Sequence, residues 1–171
     1  DVRIPDGTIV AALAVAVDYL PQLEIDLGSG PKTATEGTIG SAYVTGYASQ
    51  TTTMRITVSA PADSRGDYML RVYQIPLGGR LDAGQTIAGE LTSDDTRTVE
   101  DRYIDWYSLT LEAGASVSLL ARADFDSYMI VEYPDGGRVE NDDTDGTDAG
   151  AFLTADESAT YLVGVTSLGA E

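Results

Sequence analysis

Tyr103-Ile104-Asp105-Trp106-Tyr107-Ser108-Leu109-Thr110-Leu111, followed by Glu112-Ala113-Gly114-Ala115, is the stretch on which the fold turns. Side chains along a strand alternate between two faces. Tyr103, Asp105, Tyr107, Leu109 and Leu111 therefore share one face, which grows apolar toward its end and is expected to meet a core. Ile104, Trp106, Ser108 and Thr110 share the other, so Trp106 is expected half exposed or covered by a loop. The Glu-Ala-Gly-Ala segment is a turn, with glycine available for positive φ.

Read outward from there, the whole chain alternates in the same way. Runs rich in Val, Ile, Leu, Tyr and Thr are separated by Gly/Asp/Pro clusters, the pattern of an all-β sandwich or barrel. Strands are predicted at 8–17, 22–27, 42–48, 52–60, 67–74, 103–111, 115–122, 127–133, 150–155 and 159–166. The Ala/Val-rich run at 9–17 could pass for a helix, but it is short and β-branched, which favours a strand. Pro134-Asp135-Gly136-Gly137 supplies another turn, with proline fixing φ.

The order of elements repeats. Val2-Arg-Ile-Pro-Asp-Gly-Thr-Ile-Val-Ala-Ala-Leu13 echoes Leu109-Thr-Leu-Glu-Ala-Gly-Ala-Ser-Val-Ser-Leu-Leu120, with Gly7 matching Gly114. Leu23-Glu-Ile-Asp26 echoes Met129-Ile-Val-Glu132, and Thr53–Ser59 echoes Thr160–Thr166. Two copies of one sandwich unit are read, 1–77 and 78–171, with the boundary near Pro76 to Gly79. They are incomplete at opposite ends. Copy one lacks a match for 103–107, and copy two lacks a match for Gly66–Val72. Either the chain is a fragment, or neighbouring chains supply the missing strands.

Composition limits the chemistry. The 171 residues include 28 Asp and Glu against ten Lys and Arg, for a net charge of −18. That excess argues against nucleic acid, which needs clustered cations. Lys32 is the one lysine; the other nine basic residues are arginine. Such a surface suits salty surroundings, where screening softens self-repulsion. Absence of His and Cys excludes Ser-His triads, thiolate chemistry, disulfides and imidazole-bound zinc. No apolar run reaches the roughly 18 residues a membrane span needs. No leader opens the sequence, so any signal peptide is expected to have been removed.

Residues 87–171 resemble the bacterial pre-peptidase C-terminal domain. The resemblance rests on Asp105-Trp-Tyr107-Ser-Leu-Thr-Leu-Glu-Ala-Gly114, Phe125-Asp-Ser-Tyr-Met129, Pro134-Asp-Gly-Gly137 running into Glu140-Asn-Asp-Asp143, and Ala159-Thr-Tyr-Leu-Val-Gly-Val165. Ala159 stands where the family has Gly. The first half is similar in skeleton, through Gly66-Asp-Tyr-Met-Leu-Arg-Val72, but has no Asn-Asp-Asp loop. The resemblance implies two tandem jelly-roll-like β-sandwich units without catalytic activity. It implies a secreted or cell-surface location, with a parent secreted enzyme or surface protein as partner. Some members bind calcium, and some bind matrix polymers such as collagen.

Two groups of residues are candidate sites. The loop Glu140–Asp148 carries five carboxylates and one amide. Ca²⁺ takes about six to eight oxygen ligands, so Asn141, Asp142, Asp143, Asp145 and Asp148, with Asp126 from the same end, are candidate ligands in the second unit only. A solvated hairpin loop is the alternative. Tyr103, Trp106 and Tyr128, flanked by Tyr107 and Tyr133, form a candidate ligand-binding face with Trp106 as exposed anchor. Core and rim packing is the alternative there, and Tyr107 and Tyr161 are expected in the core. Three functions follow. The first is an extracellular accessory module, calcium-stabilised. The second is a repeat of a surface fibre, built from neighbouring copies by strand complementation. The third is a carbohydrate-binding module.

Overall fold

The computed structural model describes residues 2–28, 30–36, 40–98 and 101–169, and the protein is all-β. It divides into two compact units, Asp1–Ile75 and Pro76–Glu171.

The first unit holds β1 (Val2–Ile4), β2 (Thr8–Ala16), β3 (Gln22–Asp26), β4 (Pro31–Thr33), β5 (Thr35–Glu36), β6 (Ser41–Ala48), β7 (Thr52–Ser59) and β8 (Tyr68–Ile75). One sheet runs β1-β7-β3-β4 and the other β5-β6-β2-β8. Val10, Ala12 and Ala14 of β2, Ala42 and Val44 of β6, Leu23 and Ile25 of β3, and Met54 of β7 meet between the sheets as the core.

The second unit holds β9 (Gly79–Leu81), β10 (Thr96–Arg97), β11 (Tyr103–Leu111), β12 (Ser116–Ala121), β13 (Ser127–Glu132), β14 (Arg138–Asn141), β15 (Ala149–Thr154) and β16 (Ala159–Ser167). Its main sheet runs β10-β11-β16-β13-β14, with β9 parallel to β11, and β12 pairs with β15. Tyr107, Leu109, Leu111, Met129, Val131, Leu153, Tyr161 and Val163 form its core.

Six strands of each unit answer one another. β1-β7-β3-β4 corresponds to β11-β16-β13-β14, and β6·β2 to β15·β12. At the offset that relates Gly7 to Gly114, Val10, Ala12 and Ala14 answer Val117, Leu119 and Ala121, all packed on their own cores. Met54 answers Tyr161, and Ala48 answers Ala155. The turn glycines match in conformation and bonding. Gly7 has φ 73° and donates to the Ala48 carbonyl at 2.8 Å; Gly114 has φ 77° and donates to that of Ala155 at 2.7 Å. A side chain at either position would be strained, because L-residues rarely enter this region.

The correspondence stops at two places. β1 pairs with β7 only at Thr52–Met54, whereas β11 pairs with β16 from Ile104 to Leu111. β2 pairs with β8 along its length, whereas among the described residues β12 pairs with β15 alone.

On β11 the alternation holds but its consequence differs from the expectation. Tyr107, Leu109 and Leu111 face the core as expected, yet Ile104, Trp106 and Ser108 on the other face are buried too. Trp106 is 4% exposed, so it is not an exposed anchor. The physical reason lies partly on the next strand, where Gly164 sits opposite Trp106. A Cβ at Gly164 would lie 3.1 Å from the indole Cζ3 and 2.7 Å from Ile104 Cδ1. The ring thus lies down over bare backbone instead of projecting.

Gly164→Ala is therefore expected to destabilise the second unit by about 1–3 kcal/mol through overpacking, read as a lower urea midpoint by tryptophan fluorescence. An unchanged midpoint would mean that the indole and Ile104 yield freely.

Candidate functional site

The Asp-x-Tyr pair on β11 faces one side, since its members are two residues apart. The Tyr107 hydroxyl donates to Asp105 Oδ2 at 2.6 Å. Two glycines let backbone close over this pair. A Cβ at Gly78 would lie 2.6 Å from Asp105 Oδ1, and one at Gly89 would lie 2.5 Å from the Tyr107 hydroxyl. Gly78 N–H also donates to the Trp106 carbonyl at 2.7 Å. Burial, then the bond to Asp105, raises the Tyr107 phenol well above its ordinary range. The pair clamps the segment leading into the sandwich, and a phenol held neutral in this way is no base.

The acidic loop is shaped by its own hydrogen bonds. Asn141 ends β14, and its Oδ1 accepts from Thr144 Oγ1 at 2.8 Å and from the Gly150 N–H at 3.2 Å. Asp145 and Asp148 face each other across a tight hairpin, with Thr144 N–H donating to the Asp148 carbonyl at 2.8 Å. Buried Ser127 supports it from beneath: its Oγ accepts from the Ala149 N–H at 2.8 Å and lies 3.2 Å from the Thr147 carbonyl. The cation beside the loop is Arg122, 3.4 Å from an Asp148 oxygen and 3.8 Å from an Asp145 oxygen. Asp126 is exposed, and its carbonyl accepts from the Leu168 N–H.

No group of three or more acids able to hold a metal ion occurs among the described residues. Asn141 Oδ1 is already shared by two donors, and Asp145 and Asp148 turn to a guanidinium. Calcium needs convergent oxygens; here Asp145 and Asp148 lie against the Arg122 guanidinium.

The three aromatic candidates part company. Trp106 is buried, and its indole N–H has no partner among the described residues. Tyr103 and Tyr128 flank β16, since Ile104 and Tyr128 both pair with Thr166. Each carries an arginine on its ring. Arg97 sits 4.5 Å from the Tyr103 centroid and donates to its hydroxyl at 2.5 Å. Arg102 sits 4.9 Å from the Tyr128 centroid and donates to the Ser167 carbonyl at 2.8 Å. The Tyr128 hydroxyl donates to Glu140, which Arg138 also pairs. Cation–π contact of this kind occupies the face that a sugar ring would stack on. Tyr133 packs edge-on against Tyr161 at 5.4 Å. Arg97, Arg102, Arg122 and Ser127 carry these arrangements. Nothing in their sequence spacing distinguishes them, because their partners come from other strands.

No protein-family model matches the chain, and no curated protein matches it. Among solved structures it is similar to the protein YhaK from Escherichia coli, at 12% identity over 98% of this chain and 83% of that one, with a TM-score of 0.30. It is also similar to the E. coli pirin YhhW in complex with nickel(II), at 9% identity over 96% and 79%, with a TM-score of 0.26. At that level of overlap, neither protein's chemistry transfers to this chain.

Three outcomes are expected. Burial, then the bond to Glu140, pushes the Tyr128 phenol up to about 12 from its ordinary 10.0. A raised phenol pKa contributes stability that is full below the unfolded value and lost as pH climbs through the folded one. Wild type should thus lose stability between about pH 10 and 12 more steeply than Tyr128→Phe, in chemical melts across that window; parallel curves would refute the assignment. Separately, Asn141→Ala should cost about 1–3 kcal/mol by orphaning the N–H of buried Gly150. Asp142→Ala/Asp143→Ala should give the same heat with calcium as wild type in titration calorimetry. A heat lost in that variant would restore the calcium reading.

Proposed function

We propose that this chain is a non-catalytic accessory module of a larger secreted or cell-surface protein, working outside the cell as a rigid attachment or spacing element. The observation that carries this reading is how the candidate groups are used. Asp105 holds Tyr107, Asn141 holds its loop, Arg122 lies against Asp145 and Asp148, and Arg97 and Arg102 cap Tyr103 and Tyr128. These polar groups are engaged with one another instead of converging on a place where a reacting atom could sit. The sequence also has no imidazole or thiol to activate a nucleophile.

The resemblance to the pre-peptidase C-terminal domain supports the extracellular setting, and the duplicated core supports a modular part. A carbohydrate-binding role is the weaker reading, because it needs an open aromatic platform. Extracellular polymer remains the natural ligand class for a module of this type.

The test uses the purified chain with casein, soluble and insoluble collagen, and insoluble polysaccharides. No substrate is expected to turn over, and co-sedimentation with at least one polymer is expected to deplete the chain from solution. Turnover that persists through repurification would overturn the non-catalytic reading. Full recovery of the chain from every supernatant would overturn the attachment role.

A further inference from the structure

Three aspartates of this chain stand directly before a glycine: Asp6-Gly7, Asp135-Gly136 and Asp145-Gly146. Such a pair can rearrange unaided, because glycine has no Cβ to hinder attack by its own nitrogen. The glycine amide nitrogen attacks the aspartate Cγ. The N–Cγ bond forms, and a carboxyl oxygen leaves as water with the amide proton. The cyclic imide then takes up water at either carbonyl. Opening at Cγ restores aspartate. Opening at the former main-chain carbonyl gives isoaspartate, with the chain now running through Cβ and Cγ. No oxidant or reductant is consumed. In a folded chain the step needs a glycine N–H that is free of other bonds, a carboxyl free to turn onto it, and room for the ring.

The fold closes two of the pairs. Gly7 N–H donates to the Ala48 carbonyl at 2.8 Å, in the turn that sets the start of β2. Gly136 N–H donates to the Tyr133 carbonyl at 3.0 Å, and Asp135 Oδ1 accepts from the Gly137 N–H at 2.8 Å, so both members of that pair are held. Asp145-Gly146 is open. Gly146 N–H makes no hydrogen bond among the described residues, since it occupies the first central position of the tight turn across which Asp145 and Asp148 face each other. Gly146 has φ 71°, and a Cβ placed there would meet nothing within 4 Å, so a ring has space. The Asp145 side chain is 74% exposed, and Arg122 stands 3.8 Å from it, too far for a hydrogen bond to fix the carboxyl.

We propose that Asp145-Gly146 is a self-modification site, at which the folded chain forms isoaspartate selectively and becomes a substrate for a carboxyl methyltransferase that recognises isoaspartyl residues. The rearrangement lengthens the main chain of the turn by one methylene. It also converts the Asp145 carbonyl, which accepts from the Asp148 N–H at 3.3 Å, into a free carboxylate. The bond from Thr144 N–H to the Asp148 carbonyl, 2.8 Å, closes the same hairpin, and Ser127 Oγ lies 3.2 Å from the Thr147 carbonyl beneath it. The modification thus remodels the acidic loop with age, at no change in the mass of the chain.

The three pairs fall in separate tryptic peptides, residues 4–32, 123–138 and 139–171, so each is followed by itself. The folded chain is aged in mildly acidic buffer made with water bearing the heavy oxygen isotope, because each passage through the imide leaves one heavy oxygen behind. Peptide 139–171 is expected to take up label at least about tenfold faster than the other two, the factor by which a closed hydrogen-bonded turn lowers the population of its open form. The aged chain is also expected to accept radiolabelled methyl groups from an isoaspartyl methyltransferase, in that peptide. In denaturant the three rates should converge. Asp145→Glu, whose longer side chain closes a larger and slower-forming ring, should stop uptake in 139–171 and leave the other two peptides as they were. Label in 139–171 that survives Asp145→Glu overturns the proposal. So do equal rates in the three peptides of the folded chain, and so does a 139–171 that stays unlabelled when folded while the denatured chain takes up label.

Discussion

In each unit a glycine in the left-handed region donates its N–H to an alanine carbonyl at the end of the neighbouring strand of the same sheet, Gly7 to Ala48 and Gly114 to Ala155. That contact fixes where the following strand begins. A slip of one residue would turn every inward side chain outward. With the turn held, Val10, Ala12 and Ala14 face one core, and Val117, Leu119 and Ala121 face the other. The rest of each sandwich is built against those strands, and so are the positions of the loops at its ends.

Because the register is held by backbone and core, the polar residues of the second unit are left to complete one another. Arg97 and Arg102 lie over tyrosines, Arg122 lies against Asp145 and Asp148, and Tyr107 is tied to Asp105. Exposed ion pairs of this type contribute little to stability, so their effect is mainly on form. They hold loops in one arrangement and occupy groups that would otherwise be free to act.

The strands long enough to show alternation were legible in the sequence, including the Ala/Val-rich run that became β2. The turns at Gly114 and Gly136 were legible because glycine is needed there for positive φ. β1, β4, β5, β9, β10 and β14 were not, since strands of two to four residues exist only through their partners. Trp106 was misplaced for a related reason. Alternation says which face a residue takes, not what lies on that face, and a glycine on the neighbouring strand made room for the ring. The acidic loop was visible as composition. Its actual bonds, from Asn141 to Thr144 and from Arg122 to Asp148, depend on a hairpin whose shape no local pattern discloses.

The chain has a single indole, and it lies in the second unit, buried with its N–H unpartnered among the described residues. Ultraviolet emission excited at tryptophan alone therefore reports on one half of the molecule and is blind to the other, whose aromatic side chains include Tyr19, Tyr43, Tyr47, Tyr68 and Tyr73 but no tryptophan. The native emission should lie toward the blue and move red when water reaches Trp106. An optical signal confined in this way reports the surroundings of one residue during denaturation, with far-ultraviolet dichroism counting both halves.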